Sequence, residues 1–385
     1  MLRVAWRLPD ASYWTGGQNY FLNLAKALSL LPERKLQIVL LGRGTPSGIL
    51  SDCTVIPDLP CERYSWAWIS RTAVSLLKGR DSLLEGWLRR YSVDVLSHSV
   101  PLGRDSSTPA LCWIPDLQHK RMPQFFSRKE RFFRDLAFRN MARSAQGIVF
   151  SSEDARKDFS LFYPEAEART FVLPFVAYVE GAKKTEAQDW EELKSTYSLD
   201  EPYFIVPNQV WKHKNHEILI EALKLAGRDA PLILCTGVMQ DYRHPGYFEY
   251  LQRKVTEAGL SERLRFLGRI PLEDLGTLMR RSLALINPSY FEGWSTSVEE
   301  AKSLGKRVIL SDIPVHREQN PPRGFYFSPD SPEALWSALK MVMGQASSAD
   351  TDERSMREAA LVLLERMRQY GQAYEAIIRS MITES

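Results

Sequence analysis

Cysteine and histidine are scarce in this chain: four and six among 385 residues. Cys53, Cys61, Cys112 and Cys235 form no C-x-x-C pair, which argues against a zinc ribbon or a disulfide framework and suggests free, mostly buried thiols in a reducing compartment. No apolar run approaches the roughly 18 residues of a membrane-spanning helix, and no secretory signal pattern opens the chain. The formal net charge is only +3, whereas a dedicated nucleic-acid binder would show a domain pI above about 9 and clustered cations. Low-complexity tracts and internal repeats are missing too. The expectation is a soluble cytoplasmic protein with no nucleic-acid partner.

What is present is an ordinary globular composition, 44% hydrophobic and 25% charged, long enough for two or three domains. Short apolar runs rich in β-branched residues predict strands at 3–8, 36–41, 93–97, 110–114, 147–151 and 170–174. A second series follows at 203–207, 232–236, 264–267, 285–288 and 308–311. Segments of helical period lie between them, at 19–31, 129–145, 216–224, 247–258 and 297–304, with a long terminal helix over 354–381. Apolar strands alternating with helices predict parallel sheets covered on both faces, and two such series predict two doubly wound α/β domains. The polar stretch 180–200, without strand pattern, marks the boundary. Ligands of open α/β sheets bind at the carboxyl ends of the strands, so the cleft between two such domains is the expected site.

Four clusters sit where strands end. Thr15-Gly16-Gly17-Gln18 precedes the first helix, where adjacent glycines admit an anion or serve an ordinary βα turn. Gly42-Arg43-Gly44 also follows a strand but leads into no helix, so it reads as a loop. The run 113–121 places Asp116, His119, Lys120 and Arg121 at a strand end, as hydroxyl-binding and proton-handling groups or as a solvated loop in which Asp116 caps a turn. In 208–216, Gln209, Lys212, His213, Lys214 and His216 converge on a helix start, which suits a phosphate or a basic turn capped by Asn215. No carboxylate spacing accompanies the two histidines, so no metal is expected.

The fourth cluster, 290–301, has Glu292 in a loop and Glu300 about one turn into a helix, with Trp294, Ser295, Thr296 and Ser297 between them. A carboxylate can accept two sugar hydroxyls, and helix-start N–H groups can take a phosphate. Glu299 reads as an exposed helix residue. Asp350-Thr351-Asp352 reads as a helix N-terminus rather than a cation site. Residues 63–91 mix Trp66, Trp68 and Trp87 with Arg63, Arg71, Lys78, Arg80, Arg89 and Arg90, which suits either an anionic bilayer or a helix with its tryptophans turned inward.

Taken together, the clusters resemble the retaining GT-B glycosyltransferases of family 4. The carrying feature is FEGWSTSVEEAKSLGK, which matches that family's E-x7-E element from Glu292 to Glu300. Gly16-Gly17, Lys214 and the run 264–270 with Arg269 join it, so matching pieces extend from 15 to about 312. The resemblance implies an acceptor-side domain over 1–178, with a terminal helix at about 366–385 packing back on it, and a nucleotide-sugar domain over 179–365. It implies Glu300 on the ribose, Glu292 beside the transferred sugar, and amides around 294–297 on sugar hydroxyls and diphosphate. Lys214 would neutralise the departing diphosphate, with Gly16, Gly17, Gln209 and Arg269 also on the donor. Asp116, His119 and Arg121 would stand on the acceptor side, His119 with a proton-handling role.

No metal and no cofactor are implied beyond a UDP- or GDP-sugar as substrate. The acceptor would be a glycan or a lipid-linked saccharide; the bilayer reading of residues 63–91 adds peripheral contact with an anionic membrane at its inner face as a separate expectation. Two departures stand out. Gln209 occupies the place of an arginine five residues before Lys214, and Pro115 that of a histidine before Asp116. They keep a non-catalytic, sugar-binding partner subunit open as an alternative; a GT-B epimerase is a further one, disfavoured by the placement of Glu292 and Glu300.

Overall fold

The computed structural model describes residues 1–9, 15–42, 48–59, 65–66, 69–71, 73–74, 79–179, 187–345 and 349–383, with backbone alone at 15, 187–189, 349–352 and 383. Arg43, Gly44, Cys61, Arg63, Trp68 and Lys78 lie outside the described residues or side chains. The chain divides into two units. The first comprises Met1–Val176 and Leu364–Ser385, the second Ala177–Leu363.

The first unit is built on β1 (Leu2–Trp6), β2 (Leu36–Leu41), β3 (Thr54–Ile56), β4 (Val95–Ser99), β5 (Ala110–Ile114), β6 (Gly147–Phe150) and β7 (Arg169–Val172). They form one parallel sheet in the order 3-2-1-4-5-6-7. The second unit holds β8 (Tyr203–Val206), β9 (Leu232–Thr236), β10 (Leu264–Gly268), β11 (Leu285–Asn287), β12 (Val308–Ser311) and β13 (Gly324–Phe327). Their order is 10-9-8-11-12-13, again all parallel. Counted from its own first strand, this is the doubly wound 3-2-1-4-5-6 order.

The apolar strands follow from burial on both sides. Along β8, Phe204 and Val206 join one core while Tyr203 and Ile205 join the other. Along β9, Ile233 and Cys235 alternate in the same way with Leu232 and Leu234. A strand with water on one face would alternate with polar residues instead. The first core is closed by the Glu217–Ala226 helix through Leu219 and Leu223 and by the Pro332–Gly344 helix through Leu335 and Leu339.

Several elements differ from the sequence expectation. Strands β3 and β13 were not expected. Both lie at sheet edges, β3 has three residues, and β13 reads Gly-Phe-Tyr-Phe without a β-branched residue. The polar boundary segment carries a helix, Ala187–Tyr197. The first helix, Thr15–Ser29, begins earlier than expected, so Gly16 and Gly17 occupy its first turn rather than a turn before it. Cys112 and Cys235 are free and buried, and Cys53 is free and half-buried.

In the first unit a chain of hydrogen bonds runs through the switch point between β1 and β4. The Trp6 indole N–H donates to the Tyr374 hydroxyl at 2.7 Å, which donates to Ser97 at 2.9 Å. Ser97 meets His98 Nδ1 at 2.8 Å, and His98 Nε2 meets the Tyr20 hydroxyl at 2.8 Å. Burial lowers the His98 imidazole to about 3, so the ring is neutral. With Ser97 already accepting from Tyr374, its own proton points to Nδ1, which leaves the ring proton on Nε2. Trp113 stacks on Tyr20 at 4.3 Å. The terminal helix thus reaches the sheet through Tyr374, and its Gly371 lets the backbone approach Ala27, whose carbonyl oxygen a Cβ would meet at 2.8 Å.

Tyr374→Phe strands a buried indole N–H without an acceptor, which should cost about 1–3 kcal/mol. Urea unfolding should show a lower midpoint at unchanged slope; an unmoved midpoint would mean that the hydroxyl chain contributes nothing to stability.

Candidate functional site

The second sheet reverses its strand order between β8 and β11, and the loops leaving these two strands carry the third and fourth clusters. A loop that continues β8 and a loop that continues β11 must therefore lie side by side. Three contacts fasten them. The Tyr290 amide donates to the His213 carbonyl at 2.9 Å, Asn215 Nδ2 to the Pro288 carbonyl at 3.2 Å, and Ser297 Oγ to Asn208 Oδ1 at 3.3 Å. Contrary to the basic-turn reading of the sequence, Asn215 does not cap the following helix. It takes the left-handed conformation that closes the Lys212–Lys214 turn, with its amide shared between the carbonyls of Pro288 and Pro329.

Gly237, after β9, completes the floor. Its φ of +112° and the Asn208 carbonyl oxygen, 2.9 Å from where a Cβ would stand, leave room for glycine only.

This stitching brings Lys214 Nζ to 2.6 Å from Glu292 Oε1, with the two side chains 18% and 8% exposed. Ser289 donates to the same oxygen at 2.6 Å, and Asn287 Nδ2 lies 3.4 Å from it. Burial alone would push the Glu292 carboxyl up, but the Lys214 ammonium and these hydrogen bonds reverse that and hold it at about 2. His316, also nearby, adds no full charge, because burial keeps its own value low and its ring neutral near pH 7. His213 and His216 are likewise held at about 3 by burial, so Lys214 is the cation that faces Glu292.

The Thr296–Ser303 helix begins beside this pair. Ser295 caps it by accepting from the Val298 amide, which leaves the first-turn N–H groups of Thr296 and Ser297 without partners inside the helix. Asn287 Nδ2 donates to Ser295 at 2.8 Å, and Gln319 brackets the same residue, accepting from its amide at 3.2 Å and donating to its carbonyl at 3.0 Å. Glu299 is wholly buried, not exposed as expected. Lys302 donates to it at 2.9 Å and Gln319 at 3.1 Å, so it is a ligand of the supporting layer.

Glu300 is half-buried, and desolvation raises its carboxyl to about 7. Trp294 and Thr296 are half-buried and Ser297 is buried. Arg269 follows β10 and is exposed, and Gln209 is half-buried just beyond β8. The Arg243 guanidinium stacks over Trp211 and Tyr242, 5.1 Å from each ring centroid.

In the first unit the placement differs from the expectation. His119 is buried, its Nε2 2.9 Å from Asp135 Oδ1 and its ring against Phe126 and Phe138. Burial lowers it, so it is a neutral, packed histidine rather than an open acceptor-side group. Asp116 caps its own turn by accepting from the Gln118 amide at 2.9 Å, and Arg121 pairs with Asp158. Gly16 is exposed and Gly17 buried. Sequence reasoning missed Asn287, Ser289, His316 and Gln319. The first two stood at a strand end and could have been found; the others lie some 24 residues downstream with no local signal. Among the described residues no group of three His, Cys, Asp or Glu could hold a metal, and no helix is long and apolar enough to cross a membrane.

Residues 188–360, nearly the whole second unit, match the family model of glycosyl transferases group 1. Over 142 residues the chain is 30% identical to the O-antigen chain mannosyltransferase RfbU of Salmonella typhimurium, a match that covers 37% of this chain and 38% of that relative. A glycosyltransferase structure from Rickettsia africae aligns over 100% of this chain and 99% of its own, at 15% identity and a TM-score of 0.71. HepE from Anabaena, solved in complex with UDP and glucose, aligns over 99% and 100% at 17% identity and a TM-score of 0.68. The fold is therefore α/β of the GT-B type, and the family match supports a glycosyltransferase.

Lys214→Met should leave a buried carboxylate unpaired and cost about 3–5 kcal/mol near neutrality. The pair's contribution is present above the ordinary Glu value of 4.5 and is lost as pH falls toward about 2. In the variant Glu292 protonates more readily, so its deficit in melting temperature should shrink in acid and widen above pH 6. Adding Glu292→Gln should recover most of the loss; a deficit independent of pH would show that the pair is not what stabilises the loops.

Proposed function

We propose that the protein is a retaining glycosyltransferase of family 4 that moves a hexose from a UDP- or GDP-sugar to a saccharide acceptor, a glycan or a lipid-linked chain, without a metal. The observation that carries this reading is the buried Lys214–Glu292 pair at the switch point of the second sheet, beside the start of the Thr296–Ser303 helix. The glycosyl transferases group 1 match covers this region, and the RfbU likeness favours a role in building polysaccharide.

In this reading the bond between the sugar's anomeric carbon and the diphosphate oxygen breaks, and a bond to an acceptor hydroxyl oxygen forms on the same face. The acceptor's proton passes to the departing diphosphate. Lys214 and the amides of Thr296 and Ser297 meet the negative charge that grows on that diphosphate. Groups already oriented when the substrate arrives lower the barrier without acid catalysis. Glu292, ionised at every working pH, accepts hydrogen bonds from the transferred sugar through the oxygen not held by Ser289. Glu300 accepts from the two ribose hydroxyls. The first unit holds the acceptor, with Asp116 and Arg121 on that side and His119 acting through packing.

Purified protein should release UDP or GDP from one member of a nucleotide-sugar panel when a saccharide acceptor is present. Glu292→Ala should reduce that turnover about a thousandfold with little change in nucleotide affinity, a range expected for loss of a transition-state group. Glu300→Ala should mainly weaken nucleotide binding, read as a smaller thermal shift with UDP or GDP. Unchanged turnover in both variants would overturn the site.

Nucleotide affinity should also depend on pH. Ribose hydroxyls donate to the carboxylate form of Glu300, whose value stands at about 7 in the free protein. Affinity should therefore fall as pH drops below 7, by up to about tenfold per unit. Titration calorimetry at pH 5.5 and 8 should show this, and Glu300→Gln should flatten it.

A further inference from the structure

We propose that the side-chain amide of Asn208 binds the diphosphate of the donor nucleotide, an inference that rests on the nucleotide-sugar reading above. Asn208 lies two residues beyond β8 and is 7% exposed, and its backbone carbonyl is the one against which Gly237 packs. Among the described residues its Nδ2 meets no acceptor. Asn215, Asn287 and Gln319, the amides around it, all spend theirs. Asn215 donates to the carbonyls of Pro288 and Pro329, Asn287 to Ser295, and Gln319 to the Ser295 carbonyl and to Glu299.

The orientation of the Asn208 amide follows from a chain of hydrogen bonds that runs in one direction. Ser295 Oγ accepts from Asn287 Nδ2 at 2.8 Å and from the Val298 amide at 3.4 Å, which fills both of its lone pairs. Its own proton therefore goes to Ser297 Oγ, 3.2 Å away. Ser297 in turn gives its proton to Asn208 Oδ1 at 3.3 Å. With Oδ1 fixed as the acceptor, Nδ2 is the open end of the chain. Each link polarises the next, so this last N–H is a stronger donor than an isolated amide.

A buried donor without an acceptor is costly in the free protein, and the groups around it show what relieves the cost. Ser297, whose hydroxyl holds Asn208, also carries a first-turn N–H without a partner inside the helix, as does Thr296. Lys214 belongs to the same loop as Asn208. All of these donate, so the group that serves them together accepts only and is anionic. A phosphate oxygen has that character; a sugar hydroxyl, which must place a proton of its own, matches it less well.

Titration calorimetry with UDP, GDP and inorganic pyrophosphate tests the proposal on two variants of the full chain. Asn208→Leu keeps the size of the side chain and removes the donor. Asn208→Asp keeps the acceptor for Ser297 and puts an oxygen where the donor stood. Both should weaken binding of pyrophosphate and of the preferred nucleoside diphosphate by about ten- to a hundredfold, the range of a hydrogen bond to a charged group. Uridine and guanosine, followed by saturation-transfer NMR, should bind as they do to the wild type. Because Nδ2 has no partner to lose in the free protein, Asn208→Leu should melt within about 4 °C of the wild type. Diphosphate affinity unchanged in both variants, the result of a buried water on Nδ2, would overturn the proposal. So would equal weakening of the nucleosides, or a loss seen with the nucleotide sugar and not with UDP or GDP. A wild type that binds none of the three diphosphates would overturn it together with the nucleotide-sugar reading.

Discussion

The candidate site depends on one buried ion pair. Lys214 comes from the loop after β8 and Glu292 from the loop after β11, and only the reversal of strand order makes those loops neighbours. A carboxylate 8% exposed needs a partner, because the desolvation of an isolated ion would far exceed what packing returns. Lys214 and Ser289 supply that partner on a single oxygen. The surrounding polar layer keeps the geometry in place: Asn287 ties Ser295, Gln319 ties Ser295 and Glu299, and Asn215 ties the two loops. Lys214, Asn215 and Gln319 each bond to a residue of another segment, so a displacement of one loop would strand several polar groups at once.

The fold was legible wherever strands are buried on both faces. Eleven of the thirteen strands among the described residues announce themselves as short apolar runs, and central ones such as β8 and β9 do so because both sides meet hydrophobic cores. The two that did not, β3 and β13, are edge strands, where half the packing constraint is lifted and composition carries less information. The helix over Ala187–Tyr197 escaped notice because its polar residues look the same in a linker and on a solvated helix face.

The site was legible in its first layer and opaque in its second. Glu292, Glu300 and the Ser/Thr run stand within nine residues, and the acids on both sides of a helix start are unusual enough to notice. Burial is what sequence could not supply. Glu299 and Glu300 are adjacent and chemically identical, yet one lies under Lys302 and Gln319 while the other opens toward solvent. Gln319, the residue that distinguishes them, arrives from a helix beyond β12. The same limit applies to His119: four titratable residues among the six of 116–121 at a strand end suggested a reactive loop, but the short Gln118–Arg121 helix turns its histidine inward onto Asp135.

The pair also bears on how a diphosphate could be met without dismantling the loops. An ammonium has three donors, and Lys214 spends one on Glu292. Two remain for phosphate oxygens while the ion pair stays intact, so in the proposed reaction the buried carboxylate is never left unpaired. In the same proposed reaction a neutral pair gives weight to the helix-start amides. With the lysine's charge already balanced by Glu292, the unpaired N–H groups of Thr296 and Ser297 supply much of the uncompensated positive potential at that point. An arginine at the position of Gln209 would add a full charge to the same spot. In the proposed reaction the neutral amide of Gln209 would leave the departing diphosphate to Lys214 and the helix start, and the cap at Ser295 would serve the electrostatics as well as the fold.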